Sequence, residues 1–310
     1  MKISKIIILF FIYTVFLANC SAKNEEGVSA DQYAALVNEN ICNVTAVTAG
    51  YIKSFLECPL NEIRTLSILM SNIDIVALPG ERRYFVNYML KSLAAANPDY
   101  VGVWAVFEPN ALDGQDAQNI NMPGSDHTGR YVSYWANDYG RITVTALTDY
   151  ADSDYYLTSL RSGKEAVIEP YFKDIGGQKV LITNVTVPIM KDGRVIGVAG
   201  IDIDLRTIQD VISVIKPLET GYAELYSPGG MVVASVDESK LGRNVQDVSR
   251  ELYGNHLNAL MRSINNGVPF IETADSKEHN AKMIIAVYPF FIGNFENAWS
   301  AVSIAPAITQ

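Results

Sequence analysis

The chain is poor in the side chains that bind metals or attack acyl groups. It has 3 histidines and 3 cysteines in 310 residues. His127, His256 and His279 stand far apart, with no metal-ligand spacing. No G-x-S-x-G, H-E-x-x-H, phosphate loop or dinucleotide fingerprint occurs. Ser133 lies near His127 in sequence but has no orienting acid at a spacing that makes a triad. Catalysis is therefore not expected, and neither is a metal or a cofactor. Basic residues are also scarce: 24 Lys and Arg face 34 Asp and Glu, a formal net charge of −10. Nucleic acid is not an expected partner, because phosphate binding needs clustered Lys and Arg. What the chain does have is 49% hydrophobic and 10% aromatic residues, ample for packed cores in two modest domains or one elongated one.

The single long apolar run, Ile6 to Ala18, follows Lys2 and Lys5 and is too short for a comfortable membrane span. It reads as an export signal. Leu17-Ala18-Asn19-Cys20 resembles the lipobox of bacterial lipoproteins, in which the cysteine is lipidated, although Asn19 departs from the usual small residue. The expectation is a signal peptide over 1–20 with lipidation at Cys20, then a polar tether over 21–28. An uncleaved signal anchor is the alternative, and either reading holds the bulk of the chain outside the cytoplasm at a membrane. Cys42 and Cys58 fall in one helical pattern. Sixteen helical residues span about 24 Å, so two free thiols are expected.

Ser29-x-x-Gln32 is a capping-box start. From Ala30 to about Val76 apolar residues recur at three and four, which predicts a long amphipathic helix that Pro59 kinks but does not end. A second helix is expected from Glu81 to Asn97, ahead of Pro98. The period then changes. Strands are expected at Tyr100–Phe107, Tyr131–Trp135, Arg141–Ala146, Val167–Phe172, Lys179–Met190 and Arg194–Leu205, with a short helix over Asp154–Arg161. A second β-type unit follows from Tyr222 to Ile304, containing a helix over Val248–Asn265. The fold class is α+β: a long N-terminal helix (29–80), then a first module (81–215) and a second (216–310).

The stretch from Trp104 to Asp204 carries G-R-Y-V-S-Y-W (Gly129 to Trp135), T-D-Y-A-D-S-D-Y-Y (Thr148 to Tyr156), E-P-Y-F-K-D (Glu169 to Asp174) and G-V-A-G-I-D-I-D-L ending at Leu205. In this order and separation these motifs resemble the double Cache (dCache) family, the extracytoplasmic sensors of bacterial chemoreceptors and sensor kinases. The resemblance covers Ser29 to Ile304. It implies two stacked PAS-like modules with antiparallel sheets, the ligand being held in the membrane-distal one. By resemblance to family members that bind amino acids, Arg130 would take the carboxylate beside Tyr134 and Trp135, while Tyr150, Asp152 and Asp174 would take the amino group. The spacing of Arg130 from its aromatic pair departs from the family pattern, so the resemblance supports the cationic end better than the carboxylate end.

Aromatic faces and carboxylates together suit an ammonium, and Trp104, Tyr134, Trp135, Tyr150, Tyr155 and Tyr156 are the candidate faces. Tyr134 and Trp135 point to opposite sides of a regular strand, so one of the two is expected at the pocket. The competing readings are structural: Asp152 as a helix cap, Asp174 as a turn residue, Arg130 paired with an internal carboxylate such as Asp126, Asp204 as a cap, and Glu169 as structural. The expected function is ligand sensing of a small amine-bearing molecule (amino acid, betaine or other amine) for chemotaxis or transmembrane signalling. The alternative is a free-standing lipid-anchored lipoprotein that presents its ligand to a separate receptor, kinase or transporter. A homodimer through the long helix is a further expectation.

Overall fold

The computed structural model describes residues 29–138 and 140–307. The signal peptide, Cys20 and the tether lie outside the described residues. Helix α1 (Ala30–Ser71) opens on the expected capping box, with Ser29 and Gln32 each bonding the other's backbone. It runs unbroken through Pro59. Ile52, Leu56, Leu60 and Ile63 form its buried stripe, and each such side chain contributes about 2 kcal/mol by leaving water. A short α2 (Ile73–Val76) and α3 (Pro79–Ala96) complete the helical start. The long helix therefore ends at Ser71, before the expected Val76, and the second helix begins at its N1 proline.

The first sheet holds β1 (Tyr100–Phe107), β2 (Val132–Asp138), β3 (Arg141–Ala146), β4 (Ala166–Val167), β5 (Tyr171–Ile175), β6 (Gln178–Lys191) and β7 (Arg194–Asp204). Its order is β3-β2-β1-β7-β6-β4, with β5 also paired to β6, and every pairing is antiparallel. The strand expected over Val167–Phe172 is in fact two pieces: the Ile168 N–H still donates to the Asn184 carbonyl of β6, but pairing lapses before Tyr171, and Pro170 has no N–H to give it. Helix α4 (Asp154–Ser162) lies on one face of this sheet and ends at Gly163 in the left-handed conformation. Helices α1 and α3 lie on the other.

After α5 (Arg206–Ile212) the second sheet comprises β8 (Tyr222–Tyr226), β9 (Val232–Ser235), β10 (Phe270–Ser276), β11 (Ala281–Phe290) and β12 (Trp299–Pro306), in the order β10-β11-β12-β8-β9. The helix expected over Val248–Asn265 is divided: α6 (Val245–Val248), α7 (Arg250–Tyr253) and α8 (Leu257–Asn266), with Gly254 breaking the run. Helix α1 packs on both sheets, with Ile41 against Ile284 and Ala286 of β11. Cys42 and Cys58 are both free. Among the described residues no helix is long and apolar enough to cross a membrane.

The second sheet buries a carboxyl. Glu224 accepts Ser235 Oγ at 2.8 Å and the Tyr226 hydroxyl, with Lys240 Nζ at 3.8 Å. Burial pushes its carboxyl above the usual glutamate range, although Lys240 and the two hydroxyls pull the other way. The native state therefore holds more protons than the unfolded chain above about pH 4.5, and the site's contribution to stability is lost as pH rises through that window. Glu224→Gln is expected to flatten the fall of the melting temperature as pH rises above about 4.5. Identical pH slopes for variant and wild type in calorimetric scans would contradict this.

Candidate functional site

The α4 face of the first sheet carries the even-numbered residues of β1, β2 and β7. Trp104 pairs with Tyr134 on one side and Gly200 on the other, and Gly102 pairs with Asp202. The two glycines make room for the two rings. A Cβ at Gly200 would stand 2.3 Å from the Trp104 indole, and one at Gly102 2.2 Å from the Tyr134 ring. Both rings thereby lie flat over the sheet and reach Asp202, which is only 2% exposed. Trp104 Nε1 donates to Asp202 Oδ1 at 2.8 Å, as does Asn184 Nδ2 at 2.5 Å. Tyr134 donates its hydroxyl to Oδ2 at 3.0 Å, and Lys173 Nζ lies 2.7 Å from the same oxygen. Burial, reinforced by Asp202, drives the Tyr134 phenol well above its ordinary pKa. The phenol is therefore a donor at any physiological pH.

A second group forms around Arg130. Its Nε donates to the Phe107 carbonyl at 2.5 Å, its Nη2 to Glu108 at 2.6 Å and Tyr156 at 2.5 Å, and its Nη1 to Tyr150 at 3.4 Å. The guanidinium also sits over the Tyr150 ring, 4.9 Å from its centroid. Tyr150 in turn donates to Asp126 at 3.0 Å. Each guanidinium nitrogen thus has a partner inside the protein. These contacts hold Arg130 against Glu108, Tyr150 and Tyr156.

Tyr155 links the Asp202 cluster to an open space. Its ring meets Trp104 edge-on at 5.2 Å, and its hydroxyl donates to Asp149 at 2.6 Å. On the other side it lines a cavity of ≈ 850 Å³. Asp149, Asp154, Thr158, Glu169 and Tyr171 contribute from the first module, and Gly229, Phe295 and Asn297 from the second. The lining holds three carboxylates and no Lys or Arg. Glu169 also ties the two sheets together, accepting the Ser227 hydroxyl and the Gly229 N–H at 3.2 Å.

Of the eight expected ligand residues, the structure brings Trp104, Tyr134 and Tyr155 together near Asp202, and groups Tyr150 with Arg130. Three stand elsewhere. Trp135 faces α3, where its Nε1 donates to Asn87 at 3.0 Å, because strand alternation turns it away from Tyr134. Asp152 is exposed on a short 3-10 turn, and the cap position of α4 belongs to Ser153. Asp174 is exposed and accepts the Gly177 N–H at 2.9 Å, which makes it the turn residue of the β5–β6 hairpin. Asp202, Asp149, Tyr171 and Lys173 lie outside the eight expected residues. One signal was available for Tyr171 and Lys173: in E-P-Y-F-K-D they alternate with Phe172 and Asp174 and so share a face. Among the described residues no group of His, Cys, Asp and Glu is arranged to hold a metal ion.

Comparison with known proteins is consistent with this geometry. Residues 86–210 match the family described as methyl-accepting chemotaxis protein-like, first PDC sensor domain. The methyl-accepting chemotaxis protein TlpQ of Pseudomonas aeruginosa is 33% identical over 196 residues, which is 55% of this chain and 27% of that protein. The match therefore spans only about a quarter of that relative's length. The extracellular domain of the putative histidine kinase mmHK1S-Z2 superposes with a TM-score of 0.77 at 26% identity, covering 87% of this chain and 97% of that one. The ligand-binding domain of the Pseudomonas aeruginosa amino-acid chemoreceptor PctC, solved with GABA, shares the fold at 16% identity with a TM-score of 0.58, covering 85% and 97%. The chain thus has the fold of the extracellular sensor domains of chemoreceptors and sensor kinases, and residues 86–210 are similar to the first PDC unit of chemoreceptor-like sensors.

Proposed function

We propose that this domain senses a small amine-bearing cation held in the cavity between α4 and Tyr171, for chemotaxis or related transmembrane signalling. The observation that carries the reading is the lining itself: Asp149, Asp154 and Glu169 with Tyr155, Tyr171 and Phe295, and no basic side chain. Each aromatic face offers an ammonium about 0.5–2 kcal/mol, and a carboxylate adds a charge-assisted hydrogen bond. Arg130 is enclosed by its own partners, so a plain amine fits better than an amino acid or a betaine. The same wall offers a route for output. Glu165 accepts Arg64 Nε of α1 at 2.6 Å and the Asn294 N–H of the second module at 2.8 Å. With Glu169 it anchors both ends of the segment that leads to Tyr171. A ligand that prefers one position of this segment biases the long helix and the second sheet together. In this reading 81–215 is the membrane-distal module, 216–310 the proximal one, and α1 the dimer-forming element.

A second reading, a lipid-anchored binding protein that hands its ligand to a separate receptor, kinase or transporter, is favoured by Leu17-Ala18-Asn19-Cys20. Labelled palmitate incorporated into wild type and lost in Cys20→Ala supports the lipid anchor.

The test of the main reading is a thermal-shift panel of amines, quaternary amines, amino acids and dicarboxylates. A bound compound at about 100 times its Kd stabilises the fold by about 2.7 kcal/mol. Amines are expected to raise the melting temperature, and Asp149→Asn with Glu169→Gln to reduce the shift. Stabilisation by dicarboxylates and none by amines would overturn the reading.

A further inference from the structure

A cation already stands at Asp202. Lys173 Nζ lies 2.7 Å from Asp202 Oδ2, 3.0 Å from the Tyr134 hydroxyl and 4.5 Å from the centroid of the Tyr134 ring. An aromatic face, a carboxylate and a hydroxyl around one ammonium make a cage for an alkylammonium ion. The walls are fixed: Trp104, Tyr134, Asn184 and Asp202 are all buried and sit on four adjacent strands, β1, β2, β6 and β7. The occupant is not. The Lys173 side chain is 32% exposed and belongs to β5, which pairs with β6 alone. Beside it lies a spare acceptor: Asn184, whose Nδ2 holds Asp202, has its Oδ1 buried without a hydrogen-bond partner. Finally, Tyr171 stands two residues before Lys173 on the same face of β5 and lines the cavity.

We propose that Lys173 is a tethered occupant of an alkylammonium subsite, and that a primary amine entering past Tyr155 and Tyr171 displaces it from Asp202. This deepens the amine reading above and rests on it for the identity of the incoming ligand. One ammonium replaces another, so the buried carboxylate is never left without a counter-ion, and the Lys173 ammonium moves to solvent. The tether makes Lys173 an intramolecular competitor at high effective concentration. It therefore sets the affinity of the site and favours ligands whose ammonium can reach as deep as its own.

The test uses chemical rescue. Lys173→Ala removes the equivalent of n-propylammonium. The variant is expected to melt below wild type, and n-propylammonium chloride to restore the melting temperature with a saturating dose dependence. Sodium chloride at equal ionic strength is expected not to restore it, and wild type to need at least tenfold more amine for any response. Adding Asp202→Asn to Lys173→Ala is expected to abolish the rescue. A variant that melts low and is indifferent to propylammonium overturns the proposal. Should Lys173→Ala fail to fold, Lys173→Gln is measured against the most stabilising amine of the panel. Binding at least tenfold tighter than wild type supports the tethered occupant, and equal or weaker binding overturns it. Rescue without any panel ligand would sink the proposed function alone, whereas an amine bound in the cavity without rescue would sink this inference alone.

Discussion

Replacing Asp202 by alanine is expected to cost the fold about 4 kcal/mol, because a buried donor stripped of its acceptor costs roughly 1–3 kcal/mol. Three buried groups lose their acceptor at once: Trp104 Nε1, Asn184 Nδ2 and the Tyr134 hydroxyl. Lys173 escapes that penalty by turning to solvent, since its side chain is 32% exposed. Asp202→Asn keeps the shape but loses the charge and one acceptor, and is expected to cost less, about 2 kcal/mol. Urea titration of both variants reads these values. A loss below about 1 kcal/mol for alanine would mean that the Trp104 and Tyr134 rings hold their places by packing alone. The ranking matters to function too. Both variants are expected to lose amine response, but only alanine to lose a large part of the stability.

The second large effect is expected at Arg83. Its side chain is 12% exposed and donates to Asp113 at 2.7 and 3.2 Å, Asp116 at 2.7 Å, Ser125 Oγ at 2.9 Å and the Gly129 carbonyl at 2.9 Å. One guanidinium on α3 thus gathers the whole loop between β1 and β2, up to the residue before Arg130. Arg83→Met leaves two buried carboxylates without their cation, and breaking such a network from one side costs about 3–5 kcal/mol. Arg83→Lys recovers little, because a single ammonium cannot serve four partners spread around a planar fork. Neutralising both carboxylates with Asp113→Asn and Asp116→Asn in the Arg83→Met background is expected to recover part of the loss. Denaturation midpoints check this, and proteolysis of the loop at fixed urea gives a local readout. A loss under about 1 kcal/mol with an uncut loop would contradict the role given to Arg83.

Elements that rest on local pattern were legible in the sequence. Tyr100–Phe107, Arg141–Ala146 and the short helix from Asp154 follow from period and punctuation, and the capping box at Ser29 marks the start of α1 correctly. Pro59 inside α1 was legible because the apolar stripe resumes in phase beyond it. The site was legible only in part, because it depends on register. Trp104, Gly200 and Asp202 belong to strands about one hundred residues apart, and only their pairing puts them on one face. An aspartate at the end of a strand reads as a cap until that pairing is known. The position of Asp174 has a local reason: Tyr171 and Lys173 take the inner face of β5, and Asp174 accepts the Gly177 N–H of the turn. The surroundings of Arg130 have an energetic reason. A half-buried guanidinium needs several acceptors, and the fold supplies Glu108, Tyr150, Tyr156 and the Phe107 carbonyl from within.

The most direct measurement is a crystal structure of the protein grown with the amine that stabilises it most. The account predicts the amine in the cavity between Tyr155 and Tyr171, its ammonium within hydrogen-bond distance of a carboxylate and Arg130 still bound to Glu108. An amine bound elsewhere with this cavity empty, or a ligand carboxylate seated on Arg130, would contradict it.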